Sequence, residues 1–352
     1  MIVDSLVCDI NMVMFIRFLA GYRHNFKGPY VLRVFSIIYP ILVISIIAIS
    51  PIFINNRHVN IYIYPVYFDL IIIFLHAFQT QDKYIYEFYK FINGLDNLFG
   101  AKKLYNRLDY FLKFCAFIYP LNKMFVSLFV CIHMPDFCFK HFKVELTIDF
   151  IFCSLSSFGK VNMIILIGLL YCRTKLLRNN LESEFTGQFC NRYCVTKYIR
   201  LYEMLMDSFK IIGRPLKITI SVGSVCCLTR IVLNMYRELE RVREFGLSSL
   251  SIVWLLGNLV DPFFTIFMTV IVLDLIEDDY NYIKIKCSEQ KILCKNERQR
   301  SELKRFLLLL ENRPLRFYIL PNMQLKLRLL LSCLSFSVVN IIAVLQIKTF
   351  YL

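Results

Sequence analysis

Seven long apolar stretches constrain this chain more than any other feature of its sequence. A helix needs roughly 20 predominantly apolar residues to cross the hydrocarbon core of a bilayer. The stretches that approach this length are Val31–Ile54, Ile61–Phe78, Phe114–Ile132, Leu146–Tyr171, Ile218–Tyr236, Leu250–Leu275 and Leu325–Ile347. They bring the hydrophobic share of the 352 residues to 57%, above the roughly 45–50% of an ordinary soluble domain. The sequence therefore predicts an all-α membrane protein with seven transmembrane helices.

The distribution of basic residues predicts how these helices are oriented. Most of the 41 Lys and Arg residues lie before residue 34 or in the segments Lys83–Lys113, Arg173–Lys217 and Lys284–Arg316. With seven spans, all four segments fall on one side of the membrane, and the positive-inside rule makes that side the cytosol. We expect a cytosolic N-terminus with helical extensions of the spans below the membrane, and an extracellular C-terminus. The formal charge of +15 then reflects contact with membrane lipid, and we expect no nucleic acid as a partner.

The residues that carry chemistry in enzymes do not form a catalytic pattern here. The five histidines are scattered over different segments, and the 11 glycines form no phosphate-binding loop. We therefore expect no enzyme activity, no metal site and no cofactor. Cys131 and Cys138 flank a short loop that the orientation places outside the cell, so these two are the candidates for a disulfide.

The last 52 residues have an organisation of their own. A polar helical run begins at Ser301, and a break follows where Pro314 and Pro321 interrupt the chain, because proline lacks the N–H that a helix needs. The final apolar stretch comes next. We accordingly divide the chain into residues 1–300, with six membrane helices that bind ligand, and residues 301–352, with a cytosolic helix, a connector and a seventh helix that lines a pore.

This C-terminal region resembles that of insect gustatory receptors. The residues that carry the resemblance, in order, are Phe306, Pro314, Phe317, Leu325, Leu330 and Gln346. The family usually has Thr-Tyr, five residues and Gln-Phe in its last helix, whereas this chain has Val339-Asn340, five residues and Gln346-Ile347. The segment Leu176–Leu181 is also similar to the family's exit from its fourth helix. Seven helices with a cytosolic N-terminus are the plan of insect gustatory and olfactory receptors.

The resemblance implies a function. It predicts a ligand-gated cation channel, a homotetramer or a heterotetramer with related receptors, in the plasma membrane of a taste neuron. The expected partners are a small-molecule tastant, a bitter or plant compound rather than a sugar, and permeant cations. Two alternatives are a metabotropic receptor that couples to a G protein, which would have its N-terminus outside, and a secondary transporter, which would typically show internal repeats.

Polar side chains within the spans are the candidates for ligand binding, because they are costly in a membrane. These residues are Asp69, Lys123, Ser127, Asp149, Ser154, Ser157, Arg230, Trp254, Asn258 and Asp261. An alternative is that they pair with one another or reach the interface. Aromatic residues that could wall an outer pocket are Tyr64, Tyr67, Phe68, Phe125, Phe150 and Phe152.

Helical spacing defines a candidate pore face and two amphipathic stripes. Val339, Ile342, Ala343 and Gln346 share one face of the last helix, and the resemblance implies that the glutamine lies near the gate. Leu201, Leu205 and Phe209 form one cytosolic stripe, and Leu303, Phe306, Leu307 and Leu310 form the other. These stripes either pack locally or, as the resemblance implies, contact other subunits.

Overall fold

The computed structural model describes residues 6–7, 9–24, 30–53, 57–80, 82–90, 92, 94–133, 143–186, 192–246, 252–253, 255–257, 260, 263–320 and 323–350. The described chain is mostly α-helical. Its helices are α1 (Ile10–Leu19), α2 (Tyr30–Phe53), α3 (Arg57–Thr80), α4 (Lys83–Tyr89), α5 (Ala101–His133), α6 (Lys143–Thr186), α7 (Arg192–Phe245), α8 (Met268–Leu293), α9 (Glu297–Asn312) and α10 (Leu327–Phe350). Strands β1 (Tyr318–Leu320) and β2 (Met323–Gln324) pair antiparallel.

Each predicted apolar stretch falls wholly or partly on helix. Within the described residues, five helical segments are long and apolar enough to cross a membrane: Tyr30–Ile49, Ala101–Phe129, Ile151–Phe185, Val195–Glu240 and Leu327–Val344. Two apolar helical segments, Ile10–Leu19 and Tyr64–Thr80, are shorter. The chain is thus a multi-pass membrane protein, while its number of spans and the sides of its termini stay predictions from the sequence.

The sixth apolar stretch is less regular than the sequence analysis predicts. Residues 252–253, 255–257 and 260 are helical, and a π-helical turn, Phe263–Phe267, precedes α8. Pro262 comes directly before this turn in the sequence, and proline cannot donate the hydrogen bond that continues an α-helix. Helix α8 then extends to Leu293, well beyond the predicted end at Leu275.

Helices α6 and α7 continue far past their predicted spans and form a bundle with α4, α8 and α9. The larger apolar core of the described chain lies largely in this bundle, along α6, α7 and α8. A smaller core joins α2, α3 and the first half of α6 through residues such as Ile47, Leu70 and Phe152. These helices also bring the buried polar groups of α3, α6 and α7 together.

One buried ion pair fixes the start of this bundle. Arg173 on α6 has no exposed surface, and its Nε and Nη2 atoms lie 3.0 and 2.9 Å from the Asp96 carboxylate. Nη1 donates to the carbonyl oxygen of Phe88 at 2.9 Å, and Nη2 also donates to that of Lys90 at 3.1 Å. Because every arm of the guanidinium has an acceptor, the pair ties α6 to the connection between α4 and α5.

The two stripes that are predicted to be cytosolic pack largely inside the chain. Leu201, Leu205, Leu303, Phe306 and Leu310 are all buried in the larger core. The local-packing interpretation is therefore correct for them, because a side chain covered by its own subunit cannot also contact another. The predicted connector is the β1–β2 hairpin, which lies between α9 and α10.

Candidate functional site

A narrow cavity of about 20 Å³, partly open to the outside, lies between α3, α6, α7 and the π-helical turn. Its lining combines ionisable, hydroxyl and apolar side chains. The lining residues are Pro65, Val66, Asp69, Ser156, Lys160, Cys226, Cys227, Arg230 and Thr265. A few convergent polar groups in an apolar wall are a usual feature of ligand sites, although this cavity is much smaller than the roughly 300–1,000 Å³ of a typical one.

Asp69 is the centre of the polar groups in this cavity. Its Oδ2 atom lies 2.5 Å from Lys160 Nζ and accepts a hydrogen bond from Ser156 Oγ at 2.8 Å. Asp69 and Lys160 are both buried. Their pairing offsets part of the cost of taking two charges out of water. Asp69 therefore pairs with another charged residue of the spans, as the alternative to ligand binding predicts.

The second carboxylate oxygen of Asp69 has a different environment. Oδ1 is buried and has no hydrogen-bond partner among the described residues. A buried acceptor without a donor is uncommon in folded proteins, since leaving it unmet costs free energy. Among the described residues that line the cavity, Asp69 Oδ1 is therefore a buried acceptor that lacks a hydrogen-bond donor.

Arg230 brings a second cation to the cavity. Its side chain is almost fully buried, and Nη2 lies 3.1 Å from Sγ of Cys153 on α6. The guanidinium keeps its charge at any physiological pH. The structure therefore places two of the predicted ligand-binding residues, Asp69 and Arg230, at one cavity, although they are 161 positions apart in the sequence.

Other predicted residues lie outside this lining. Tyr67 donates its hydroxyl hydrogen bond to the carbonyl of Ile47, so it fastens α3 to α2. Ser157 Oγ bonds to the carbonyl of Cys153, one turn back on the same helix, at 2.9 Å. Ser154 is half-buried on α6.

The candidates on α5 also lie apart from the cavity lining. Lys123 is buried and Ser127 is half-buried. Near them, Asn122 donates to the carbonyl of Gly257 at 3.0 Å, so this part of α5 packs against the helical residues before the π-helical turn. Cys131 is disulfide-bonded, and its expected partner Cys138 lies outside the described residues.

None of the described side chains of the predicted aromatic wall lines the cavity. Tyr64, Phe68 and Phe125 are exposed on the surface of the chain, where membrane lipid is the expected neighbour. Phe152 is buried, but it packs with Tyr67 at 5.8 Å between ring centres rather than lining the cavity. The side chains of Asp149 and Phe150, and residues Trp254, Asn258 and Asp261, lie outside the described part of the chain.

Sequence reasoning missed Ser156 and Lys160 as site residues. A signal for them was present, because a lysine inside a span needs a counter-ion and Asp69 is an in-span acid. Ser156 and Lys160 are four residues apart on α6 and so share a face. Across the described residues, no group of three or more His, Cys, Asp or Glu side chains is placed to hold a metal ion.

Helix α8 connects the cavity to the start of the last helix. Thr265 lines the cavity, and Asp274 lies nine residues later, roughly 14 Å along a helix at 1.5 Å per residue. Leu327 is the first residue of α10, and its backbone N–H donates a hydrogen bond to Oδ2 of Asp274 at 3.0 Å. A carboxylate at this position meets a free N–H and the positive end of the helix dipole.

Glu277, one turn further along α8, holds the hairpin and the segment before α10. Its carboxylate lies 3.1 Å from Arg316 Nε and 3.0 Å from Lys326 Nζ. It also accepts from Gln324 Nε2 at 2.5 Å. Glu277 itself is buried, so these bonds to one carboxylate fix the connector to α8 more firmly than an exposed pair would.

Helix α10 has one covered face and one open face. Leu330 and Ile341 are buried, and Leu334 between them is half-buried and packs on the larger core. At 100° per residue, the four predicted pore residues point to the opposite side. Val339, Ile342, Ala343 and Gln346 are all exposed in the single chain. This face is therefore largely uncovered by the residues described in its own subunit.

Of the comparisons with known proteins, the one with solved structures finds matches. No family model matches the sequence, and no curated protein matches it. Among solved structures, the chain is similar to the insect olfactory receptor OR5 from Machilis hrabei, with a TM-score of 0.69, 13% identity and coverage of 96% of this chain and 97% of the other. The structure of the same receptor in complex with eugenol gives a TM-score of 0.68, with 12% identity and the same coverage.

At this identity the similarity speaks to the fold. It extends over nearly the whole of both chains, so it includes α3, α6 and α7 around the cavity as well as the last helix. The chain therefore has the fold of an insect olfactory receptor.

Proposed function

We propose that this chain is a chemosensory receptor that is itself a ligand-gated cation channel. The ligand binds in the cavity around Asp69, and α10 lines the pore. The observation that carries this proposal is the fold similarity over 96% of the chain to an insect olfactory receptor that has also been solved with a bound small molecule. The buried polar groups of the cavity supply the candidate site for such a molecule.

The C-terminal resemblance to gustatory receptors refines this role. It favours a taste receptor in the plasma membrane of a sensory neuron, opened by a bitter or plant compound rather than by a sugar. The apolar side chains of Val66, Cys226 and Cys227 provide surface for an apolar molecule.

The contacts of α8 suggest how binding reaches the pore. A ligand opens the channel only if it binds the open state more tightly than the closed state. A shift of the π-helical turn at Thr265 would move α8, whose Asp274 and Glu277 hold the start of α10 and the hairpin before it. Short π-helical segments are frequent at functional sites, and this turn lies at the cavity.

The open face of α10 supports a pore between subunits. In a homotetramer, or a heterotetramer with related receptors, four such faces surround one axis. Val339, Ile342 and Ala343 then form an apolar collar, and Gln346 adds a ring of amides. Apolar constrictions gate ions by dewetting, and amide dipoles stabilise a passing cation without binding it tightly.

The cytosolic bundle offers a second surface for assembly. Five of the seven residues of the two predicted stripes are buried, and Phe209 and Leu307 are half-buried against the same core. Contact between subunits is therefore expected at the apolar side chains that stay exposed. On α8 and α9 these are Ile285, Ile292, Leu293 and Leu308. Exposed apolar groups in a segment expected to face the cytosol are typical of protein contact surfaces.

An excised-patch recording tests this function. The chain is expressed alone in a cell without taste receptors, and plant bitter compounds and sugars are applied in the absence of nucleotides and G proteins. We expect a ligand-evoked cation current. A response that requires added G protein would instead establish the metabotropic alternative, and confirmed surface expression is the control for a silent patch.

A further inference from the structure

The open face of α10 extends from the predicted pore residues back to the beginning of the helix. The residues of this face follow one another in alternating steps of four and three and are Arg328, Ser332, Ser335, Val339, Ile342 and Gln346. All of them are exposed in the single chain, and the first three line an open surface groove. The face that is proposed to line the pore therefore carries a charged side chain, Arg328, at its beginning.

Arg328 has no carboxylate partner among the described residues. The acids next to the start of α10 bind other groups. Asp274 accepts from a backbone N–H of α10, and Glu277 pairs with Arg316 and Lys326. Since a guanidinium stays protonated at physiological pH, Arg328 presents a full positive charge on the open face.

The position of Arg328 in the helix is also unfavourable for a cation. It is the second residue of α10, and the first turn of a helix carries a partial positive charge of roughly +0.5. An acid would stabilise the helix at this position, whereas an arginine is repelled by the helix dipole. A charge that neither pairs nor suits its helix end is not explained by the stability of the single chain, and such exceptions are expected at functional sites.

We infer that Arg328 forms a ring of positive charge at the cytosolic mouth of the pore and makes the channel pass cations into the cell more readily than out of it. This inference rests on the proposed function, in which four copies of α10 surround one axis. The predicted orientation places the beginning of α10 at the cytosol. Four guanidinium groups and four helix N-termini then lower the concentration of cations at that mouth. Cations from the cytosol meet this ring before they reach the collar, so the outward current falls.

The ring acts on the supply of cations and leaves the choice of ion to the collar. Arg328 precedes Val339 by 11 positions, which is roughly 16 Å along a helix at 1.5 Å per residue. A ring of arginines favours anions where it lines the narrow part of a pore. Here the narrow part is the proposed apolar collar with the amides of Gln346, and the charge lies outside it.

Two substitutions at this position separate charge from shape. Arg328→Gln removes the charge and keeps a polar side chain, whereas Arg328→Lys keeps the charge. Arg33→Gln is the matched control, because Arg33 is an exposed arginine in the first turn of another membrane helix, α2, and also has no ion pair among the described residues.

The experiment records single-channel currents in excised patches. The solutions are identical on both sides and contain no divalent cations or polyamines, so no blocker contributes. Currents evoked by an activating compound of the panel are compared at equal positive and negative voltages. At about 0.1 M salt, where the Debye length is about 10 Å, we expect an inward current at least about twofold larger than the outward one. At about 1 M salt, where that length is about 3 Å, the two should be nearly equal.

The variants should divide according to charge. Arg328→Lys and Arg33→Gln should keep the asymmetry at the lower salt concentration, and Arg328→Gln should remove it. The ratio is read from single open channels, so a variant with fewer channels in the membrane still gives it.

Three results would overturn the inference alone. They are equal inward and outward currents in the unchanged chain, an asymmetry that persists in Arg328→Gln, and an asymmetry that is also lost in Arg33→Gln. A chain that conducts no ligand-evoked current, or whose reversal potential in a salt gradient follows the anion, would contradict the proposed cation channel and the inference with it.

Discussion

Lys160 on α6 and Asp69 on α3 form an ion pair inside the helical bundle, with 2.5 Å between Nζ and Oδ2 and both side chains buried. The pair joins two helices that are 91 positions apart in the sequence. It also leaves one carboxylate oxygen of Asp69 buried without a hydrogen-bond partner among the described residues. This one contact thus holds α3 against α6 and also places two charged side chains in the lining of the candidate ligand site.

Breaking this pair should destabilise the fold. Lys160→Met leaves the Asp69 charge buried without its cation, and we expect a loss of about 3–5 kcal/mol in the free energy of unfolding. The double variant Asp69→Leu/Lys160→Met should recover much of the loss, because an apolar pair often replaces a buried ion pair without cost. Denaturant unfolding in detergent micelles measures both. Lys113→Met, which removes the exposed i,i+4 pair with Asp109, is the control and should cost less than about 1 kcal/mol.

The Arg173–Asp96 pair predicts a strict requirement for arginine. Lysine keeps the charge but cannot reach the carboxylate and two backbone carbonyls at once. Arg173→Lys should therefore lower the free energy of unfolding by at least about 1.5 kcal/mol, the smaller value for a lost bond to a charged group. The same unfolding assay applies, with Arg107→Lys on the exposed face of α5 as the matched control, expected within about 0.5 kcal/mol of the unchanged chain. Equal stability of the two variants would contradict this role of Arg173.

The bonds of Glu277 predict a separation of binding from opening. Glu277→Gln weakens the hold of α8 on Arg316 and Lys326, so less of the ligand-driven movement reaches α10. We expect a maximal ligand-evoked current at least about threefold lower, with ligand affinity in nanodiscs unchanged. Glu289→Gln, the same substitution at an exposed pair further along α8, should leave both quantities unaltered. A loss of affinity in Glu277→Gln would show that this carboxylate acts on the ligand site instead.

The open face of α10 predicts an effect on ion passage. Gln346→Ala removes the proposed ring of amides, so single-channel conductance or the reversal potential in mixed cations should change while ligand potency stays within about twofold. Ile341→Val, on the covered face of the same helix, should change neither. Identical conductance and ion preference in Gln346→Ala would place this residue outside the pore.

The helices could be predicted from the sequence, whereas the faces that they present to one another could not. Apolar runs of about 20 residues predict helical segments because a membrane demands internal hydrogen bonding. A helix that is apolar all round does not reveal which side meets lipid and which meets protein. For this reason Tyr64 and Phe68 were predicted as pocket walls, although they lie on the outer surface of α3.

Charged residues within the spans indicated the lining of the cavity better than the aromatic residues did. Asp69 and Arg230 were selected because burying a charge is costly, and both line the cavity. The partner of Asp69 depends on the register between α3 and α6, which no local pattern encodes. The sequence therefore predicts Ser154 and Ser157 as site residues, whereas Ser156 and Lys160 line the cavity. In α10, by contrast, the 3.6-residue period alone placed Val339, Ile342 and Gln346 on a common face, and the structure has that face open.

The proposed function requires that this chain forms the pore by itself, and a planar bilayer tests that requirement. The purified chain is inserted into a bilayer of defined lipids that contains no other protein, and single-channel currents are recorded before and after an activating compound from the excised-patch panel is added to the side that the extracellular ends face. We expect discrete cation currents whose open probability rises with the compound and whose amplitude changes in Gln346→Ala. A bilayer that stays silent although it contains inserted chain would contradict a pore formed by this chain alone.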